Sequence, residues 1–391
     1  MLLVFFRVFL NVVTDILKPL YHAGRAPTAL WPIVPASTRW RLNGLALAFV
    51  FVMAPALAAA EAGTFDVGGK VIDIGVQPLA FPIAMFGEVI KRDRILRAQL
   101  AKTGWSVRQH RYSKGNDMLD HLGRDELEAA MLGDIPTINA MSFYNMLAVG
   151  LLKHGFSSVV INRFASLADL KGKKVGNGFG STAHYTLLEG LATVGLSEKD
   201  LQLVEISVSD MPAALASGKI DAYSAWEPTP TIDWTKNPEH FVAYRGVNNA
   251  YLVLSRKLVE QQPQVAREFL AAFPRALYWM KKSSNNLRQA AQWALQAHQE
   301  TTRKAPDLSV EQAMQTAKRE AVDIPGAPML PRTEATSAGR MANQLRFLKH
   351  IGKIPETVFW DGVVTNFAPQ LMEEVLRQPA RYRVFAYDYE L

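Results

Sequence analysis

The chain contains no cysteine. This excludes a disulfide framework, a cysteine nucleophile, a cysteine-held zinc or iron–sulfur site and a lipid-modified cysteine. It does not exclude export, because 391 residues can bury enough surface to be stable without cross-links. The eight histidines never stand at His-x-x-x-His or His-Glu-x-x-His spacing, which removes the common helical zinc motifs. Gly-x-x-x-x-Gly-Lys-Ser/Thr is absent, so P-loop ATP hydrolysis has no support. Gly-x-Ser-x-Gly is absent too, because Gly178-Phe179-Gly180-Ser181 has the wrong spacing for a nucleophile elbow. No repeat of fixed period is visible. What remains is a mixed composition, 49% hydrophobic and 20% charged, of a length that suits two average domains.

The N-terminus has the order of a secretory signal. Arg39 and Arg41 precede the apolar run Leu45–Ala54, and Pro55–Ala60 is small and alanine-rich. Cleavage is expected between Ala58 and Ala62, leaving a periplasmic or secreted protein. The alternative is a retained anchor over Leu42–Ala60, which has nearly the length of a membrane span. Residues 1–38 are long for a leader, and either a downstream translation start or a genuine long leader accounts for them. The first sixty residues carry four of the seven net positive charges, so the body is only mildly basic. No basic run is interleaved with aromatics, and nucleic acid is not an expected partner.

The body alternates strands and helices. Lys70–Val76 reads as a buried strand, Phe81–Thr103 as a helix, Trp105–Tyr112 as a strand and Asp117–Leu127 as a helix. Leu127–Leu132 reads as a strand and Pro136–Val149 as a helix. The alternation continues through Lys173–Val175, Thr182–Val194, Leu201–Val208, Met211–Ser217, Ile220–Ala225 and Phe241–Tyr244. Pro263–Arg319 and Leu345–Leu376 are mainly helical. Such an order predicts an α/β fold with open, mainly parallel sheets and flanking helices.

Four segments could carry a site, and each has an ordinary structural alternative. Gly176–His184 joins a strand to a helix: Ser181 or Thr182 can cap that helix, and Gly180 lets backbone approach a ligand. Its first-turn amides and dipole favour an anion, and His184 stands beside them. Gly133–Thr137 ends another strand, with Asp134 at the turn, Pro136 suited to a first helical turn and Thr137 beside it. Tyr223, Trp226 and Glu227 could wall a pocket and hold an ammonium, or Trp226 could be core. Gln77 follows the first strand and faces either a ligand or solvent.

Ser166–Val175, Gly180–His184, Ile220–Pro228, Gly133–Pro136 and Tyr251–Val259 together resemble the nitrate/sulfonate/taurine-binding family of ABC-importer solute receptors. The resemblance covers roughly residues 70–280. It implies a two-lobed type II periplasmic-binding-protein fold, with lobe one at 64–155 plus 248–391 and lobe two at 158–246. It implies that Ser181, Thr182 and adjoining amides hold an anionic head, with Gln77, Pro136–Thr137 and Tyr223–Glu227 completing the pocket. A small anion or zwitterion is the implied ligand and an inner-membrane ABC permease the implied partner, with no cofactor, no metal, no catalysis and a monomeric chain. An enzyme on the same fold, making or processing a cofactor precursor, and a membrane-anchored sensor are the alternatives. Against the family pattern Pro136–Ser166 is short, so a strand or loop near the first crossing is expected to be missing.

Overall fold

A computed structural model describes residues 65–162 and 166–390. The leader and its cleavage site lie outside the described residues. The first expected strand is β1 (Val71–Val76), β-branched and buried on both faces. The helix expected over Phe81–Thr103 divides into α1 (Ile83–Lys91) and α2 (Arg94–Ala101). Asp93 causes the break, because its Oδ1 accepts the Leu96 N–H at 2.9 Å and caps α2. β2 (Ser106–Arg111), α3 (Leu119–Gly123) and β3 (Ala129–Gly133) follow in the expected order.

The helix expected to reach Val149 is α4 (Asp134–Phe143), which stops six residues earlier. Asn145 turns the chain at φ 53°, and Met146–Asn162 is extended as β4. A long strand is therefore present near the first crossing, where a strand or loop was expected to be missing. Its apolar start has no spacing that separates helix from strand, and pairing with neighbouring strands decides. Next come β5 (Lys174–Asn177), α5 (Thr182–Thr193), β6 (Gln202–Glu205), α6 (Met211–Ala216), β7 (Ala222–Trp226) and α7 (Thr229–Lys236). The strand expected at Phe241–Tyr244 is the start of a much longer one, β8 (His240–Ser255).

The eight strands form one sheet in the order β2-β1-β3-β8-β4-β7-β5-β6. β2-β1-β3 and β7-β5-β6 are parallel triplets. Between them β8 and β4 run antiparallel along their whole length. These two long strands thus cross from one triplet to the other, and their mutual register shifts beside Ala148, Leu151 and Val159.

After β8 the chain is helical: α8 (Arg256–Gln261), α9 (Pro263–Lys282), α10 (Ser284–Thr302) and α11 (Val310–Ala317). α11 widens into a π turn at Lys318–Val322. α12 (Arg340–His350), α13 (Trp360–Val364) and α14 (Pro369–Arg377) complete the chain. Phe269, Phe273 and Leu277 of α9 pack in the same core as Ile72 and Ile74 of β1 and Phe86 of α1. Each such buried side chain contributes about 1.5–3 kcal/mol. No helix among the described residues is long and apolar enough to cross a membrane.

Candidate functional site

A cavity of about 30 Å³ opens where the carboxyl ends of the parallel strands meet the crossing strands. Open α/β sheets bind ligands at this edge. Gln77 enters it from the end of β1, Gly133 from β3 and Trp226 from β7. Three helices point their N-termini toward it: Ile83 of α1, Pro136 of α4 and Thr182 of α5 all line the space. Their dipoles add, so the cavity favours negative charge. The volume exceeds what one water needs and falls well short of a drug-sized ligand.

The α5 terminus is built by local sequence. Gly180 has φ 74°, and a Cβ there would collide with the Asn116 side chain, so glycine is required for both reasons. Ser181 is then the N-cap: its Oγ accepts the His184 N–H at 3.2 Å and donates to the Gly178 carbonyl at 2.7 Å. The Thr182 and Ala183 amides have no acceptor within the helix. The Thr182 hydroxyl is buried and has no hydrogen-bond partner, and neither has the Trp226 indole N–H. A buried polar atom left unpaired costs about 1–3 kcal/mol, so two beside one cavity call for an occupant that accepts hydrogen bonds. The absent side chain of Gly133 lets the Thr182 hydroxyl approach β3 closely.

The crossing strands supply residues that local sequence did not point to. Lys153 of β4 and Asn248 of β8 both line the cavity. Asn248 Nδ2 donates to Ser157 Oγ at 2.6 Å. Lys153 Nζ lies 3.1 Å from Glu320 Oε2, and both side chains are 1% exposed. Gly155 makes room for this pair, because a Cβ there would strike both partners. Arg319 joins them: its Nη2 donates to Glu320 Oε1 at 2.9 Å and to Glu227 Oε1 at 3.2 Å. A Lys closing the buried run Met146–Lys153 was the available signal.

Of the expected site residues, Gln77, Pro136, Ser181, Thr182 and Trp226 come together around the cavity. The others are placed elsewhere. Gly180 only shapes the turn. Asp134 is fully buried, accepts the Asn249 N–H at 2.8 Å and pairs with Arg340 Nη1 at 2.5 Å. Thr137 Oγ1 donates to the Gly133 carbonyl at 2.8 Å, one turn back on α4. Tyr223 belongs to the core, its hydroxyl donating to Asp233 Oδ2 at 2.7 Å. His184 faces Glu198, 3.3 Å away; burial pushes its pKa down and outweighs that carboxylate. Glu227 accepts the Thr231 N–H at 3.3 Å and pairs with Arg319; burial, with the charge of Glu320, pushes its pKa up.

Residues 148–286 match the NMT1/THI5 like family. A Bacillus subtilis protein named for aliphatic sulfonate binding is 24% identical over 223 residues, 54% of this chain and 66% of that protein. The chain therefore spans just under two-thirds of this relative's length. The alkanesulfonate-binding protein SsuA of Xanthomonas axonopodis, bound to MOPS, superposes with TM-score 0.57 at 18% identity, over 75% of this chain and 98% of its own. The periplasmic nitrate-binding protein NrtA of Synechocystis gives 0.58 at 15% identity, over 81% and 91%. The desulfurization enzyme DSZB gives 0.51 at 16% identity, over 79% and 99%. Residues 148–286 thus form an NMT1/THI5-like region in a chain with the fold of periplasmic sulfonate- and nitrate-binding proteins.

Proposed function

We propose that this chain is the periplasmic solute-binding receptor of an ABC importer and that it holds the anionic head of a small solute in this cavity. The observation that carries the reading is the pair of unpartnered buried donors, Thr182 Oγ1 and Trp226 Nε1, beside three helix N-termini. The relatives that bind sulfonates and nitrate support the same ligand chemistry. Residues 64–155 with 248–391 form one lobe in this reading and 158–246 the other, with β4 and β8 as the connections. Ligand bridges the lobes and stabilises the closed form by its greater affinity for that state. The closed receptor then docks on its permease as a monomer.

A thermal-shift screen of the full chain tests this, with alkylsulfonates, taurine, nitrate and bicarbonate as ligands. A ligand that binds only the native state raises the melting temperature with its occupancy. An anion should do so, and Trp226→Phe should weaken it about tenfold by removing one donor. A screen in which no anion shifts the melt, or a hit indifferent to Trp226→Phe, overturns the reading.

The desulfurization enzyme among the structural neighbours favours a second reading, chemistry on the same fold. Release of sulfite from a bound sulfonate or sulfinate by the purified chain would establish it. Intact recovery of the ligand after prolonged incubation would exclude that chemistry for the ligand tested.

A further inference from the structure

The charges around the cavity are not arranged evenly. Lys153 is the charged side chain among the described residues that line it, and no carboxylate lines it. The three nearby acids that could receive an ammonium group are already committed, Glu320 to Lys153 and Arg319. Asp134 is held by Arg340 and the Asn249 N–H, and Glu227 by Arg319 and the Thr231 N–H.

Lys153 is placed by several independent features. It lies on β4 just past a register shift, a feature that re-aims side chains. Gly155, two residues on and on the same face, leaves the space that Lys153 and Glu320 fill. Glu320 gives the cation a counter-charge when no ligand is present, which a buried ammonium requires. Arg319, its neighbour in the π turn, donates to the other oxygen of Glu320, while the Oε2 that faces Lys153 has no hydrogen-bond partner.

Resting on the reading of this cavity as an anion site, the geometry points to Lys153 as the specificity-determining residue. It selects small anions that carry no ammonium group and rejects zwitterions such as aminosulfonates. An entering anion gains a buried cation that lines the same cavity as the start of α5. A zwitterion brings its ammonium into a space with a fixed cation and no free carboxylate. In a site of low dielectric that repulsion outweighs any gain from the aliphatic linker.

Isothermal titration of the full chain with ethanesulfonate, taurine and nitrate tests the assignment. These probes separate the anionic head from the ammonium, since ethanesulfonate and taurine differ by one amino group. The native chain should bind ethanesulfonate about tenfold or more tighter than taurine. Lys153→Met should weaken ethanesulfonate about tenfold and bring the two affinities together. Glu320→Gln, which removes the counter-ion and keeps the shape, should tighten ethanesulfonate. Should Lys153→Met fail to fold, Lys153→Met with Glu320→Gln removes both charges and carries the test of discrimination.

Equal binding of ethanesulfonate and taurine by the native chain overturns the assignment alone and leaves an anion site standing. So does an unchanged ratio in a folded variant that lacks Lys153. Absence of binding by all three anions overturns the anion-site reading, and the Lys153 assignment falls with it.

Discussion

Two ion pairs of this molecule are buried equally deeply and are built to opposite ends. Arg275 and Asp93 are 1% and 0% exposed, and Lys153 and Glu320 are both 1% exposed. Asp93 uses one oxygen to cap α2 and the other to accept Arg275 Nε at 2.7 Å. Arg275 Nη1 donates to the carbonyls of Tyr382 and Arg383 at 2.9 and 3.2 Å. The planar guanidinium thereby ties α9, α2 and the C-terminal segment together, as a fork of donors can. Lys153 is a point charge with Glu320 on one side and the cavity on the other. Burial alone therefore does not distinguish a structural pair from a ligand-facing one. The distinction lies in where the cation's other contacts go: Arg275 Nη1 meets backbone carbonyls while its Nη2 is buried without a hydrogen-bond partner, and Lys153 lines the cavity.

The largest effect expected is on the structural pair. Arg275→Met leaves the Asp93 carboxylate buried without its cation, which costs about 3–5 kcal/mol of stability. Urea denaturation should show this as a drop in midpoint, while the fraction that remains folded keeps its anion affinity. A loss under about 1 kcal/mol, or a changed affinity, would break the division drawn between the two pairs.

A half-buried carboxylate with no salt bridge among the described residues sharpens the comparison next. Glu128 accepts the Asp73 N–H at 2.8 Å. Burial, helped by the charge of Asp73, pushes its pKa from the usual 4.5 to about 7. The folded chain thus binds this proton more tightly than the unfolded chain does. Its contribution to stability is complete below about 4.5 and is lost as pH rises through about 7. Asp73 runs the other way. Burial works against ionisation there, yet bonds from His110 and Arg108 hold its pKa at about 2. Its contribution is complete above 3.8 and is lost as pH falls toward 2. Between about pH 5 and pH 8 the native chain should lose about 1–3 kcal/mol through Glu128. Glu128→Gln should flatten that slope, and parallel slopes for the two proteins would refute the assignment.

The same contrast explains what could be seen in the sequence. The parallel triplets were legible because strands end in turn chemistry that opens a helix: Gly133 before α4 with Pro136 in its first turn, and Gly180 and Ser181 before α5. Gln77, Pro136, Ser181, Thr182 and Trp226 drew attention for the same reason, since they sit at strand ends or at the helix starts that follow them. Lys153 and Asn248 did not. They lie in the middle of long strands, where position depends on partners far along the chain and on a register shift. Asp134 and Glu227 pair with arginines, and an acid at a turn gives no sign of an arginine far beyond it, Arg340 or Arg319. The Tyr223 hydroxyl meets Asp233 in the core, a partner ten residues on that strand alternation alone does not reveal.

At α5 the structural and ligand-facing roles fall on neighbouring residues. Ser181 has both its hydrogen bonds inside the protein. Ser181→Ala removes the cap, so about 1 kcal/mol of stability should be lost, read as a lower melting temperature without ligand. Affinity should fall with it, because the first turn that presents the amides frays. An unchanged melting temperature would show that the cap is not holding the helix end.

Thr182 should behave in the opposite way, and it gives the smallest expected effect on stability. Its hydroxyl has no partner, so Thr182→Val removes no hydrogen bond within the protein. It replaces an unpaired buried oxygen with a methyl of similar size. Stability without ligand should change by less than about 0.5 kcal/mol, or rise slightly. Anion affinity should nonetheless fall about tenfold, because the hydroxyl's hydrogen bond is made only to ligand. The affinity loss, set beside the unchanged melt, separates a group kept for the ligand from one kept for the fold. A variant that melts lower while binding as well as the native chain would place Thr182 with Ser181, among the groups that hold the helix.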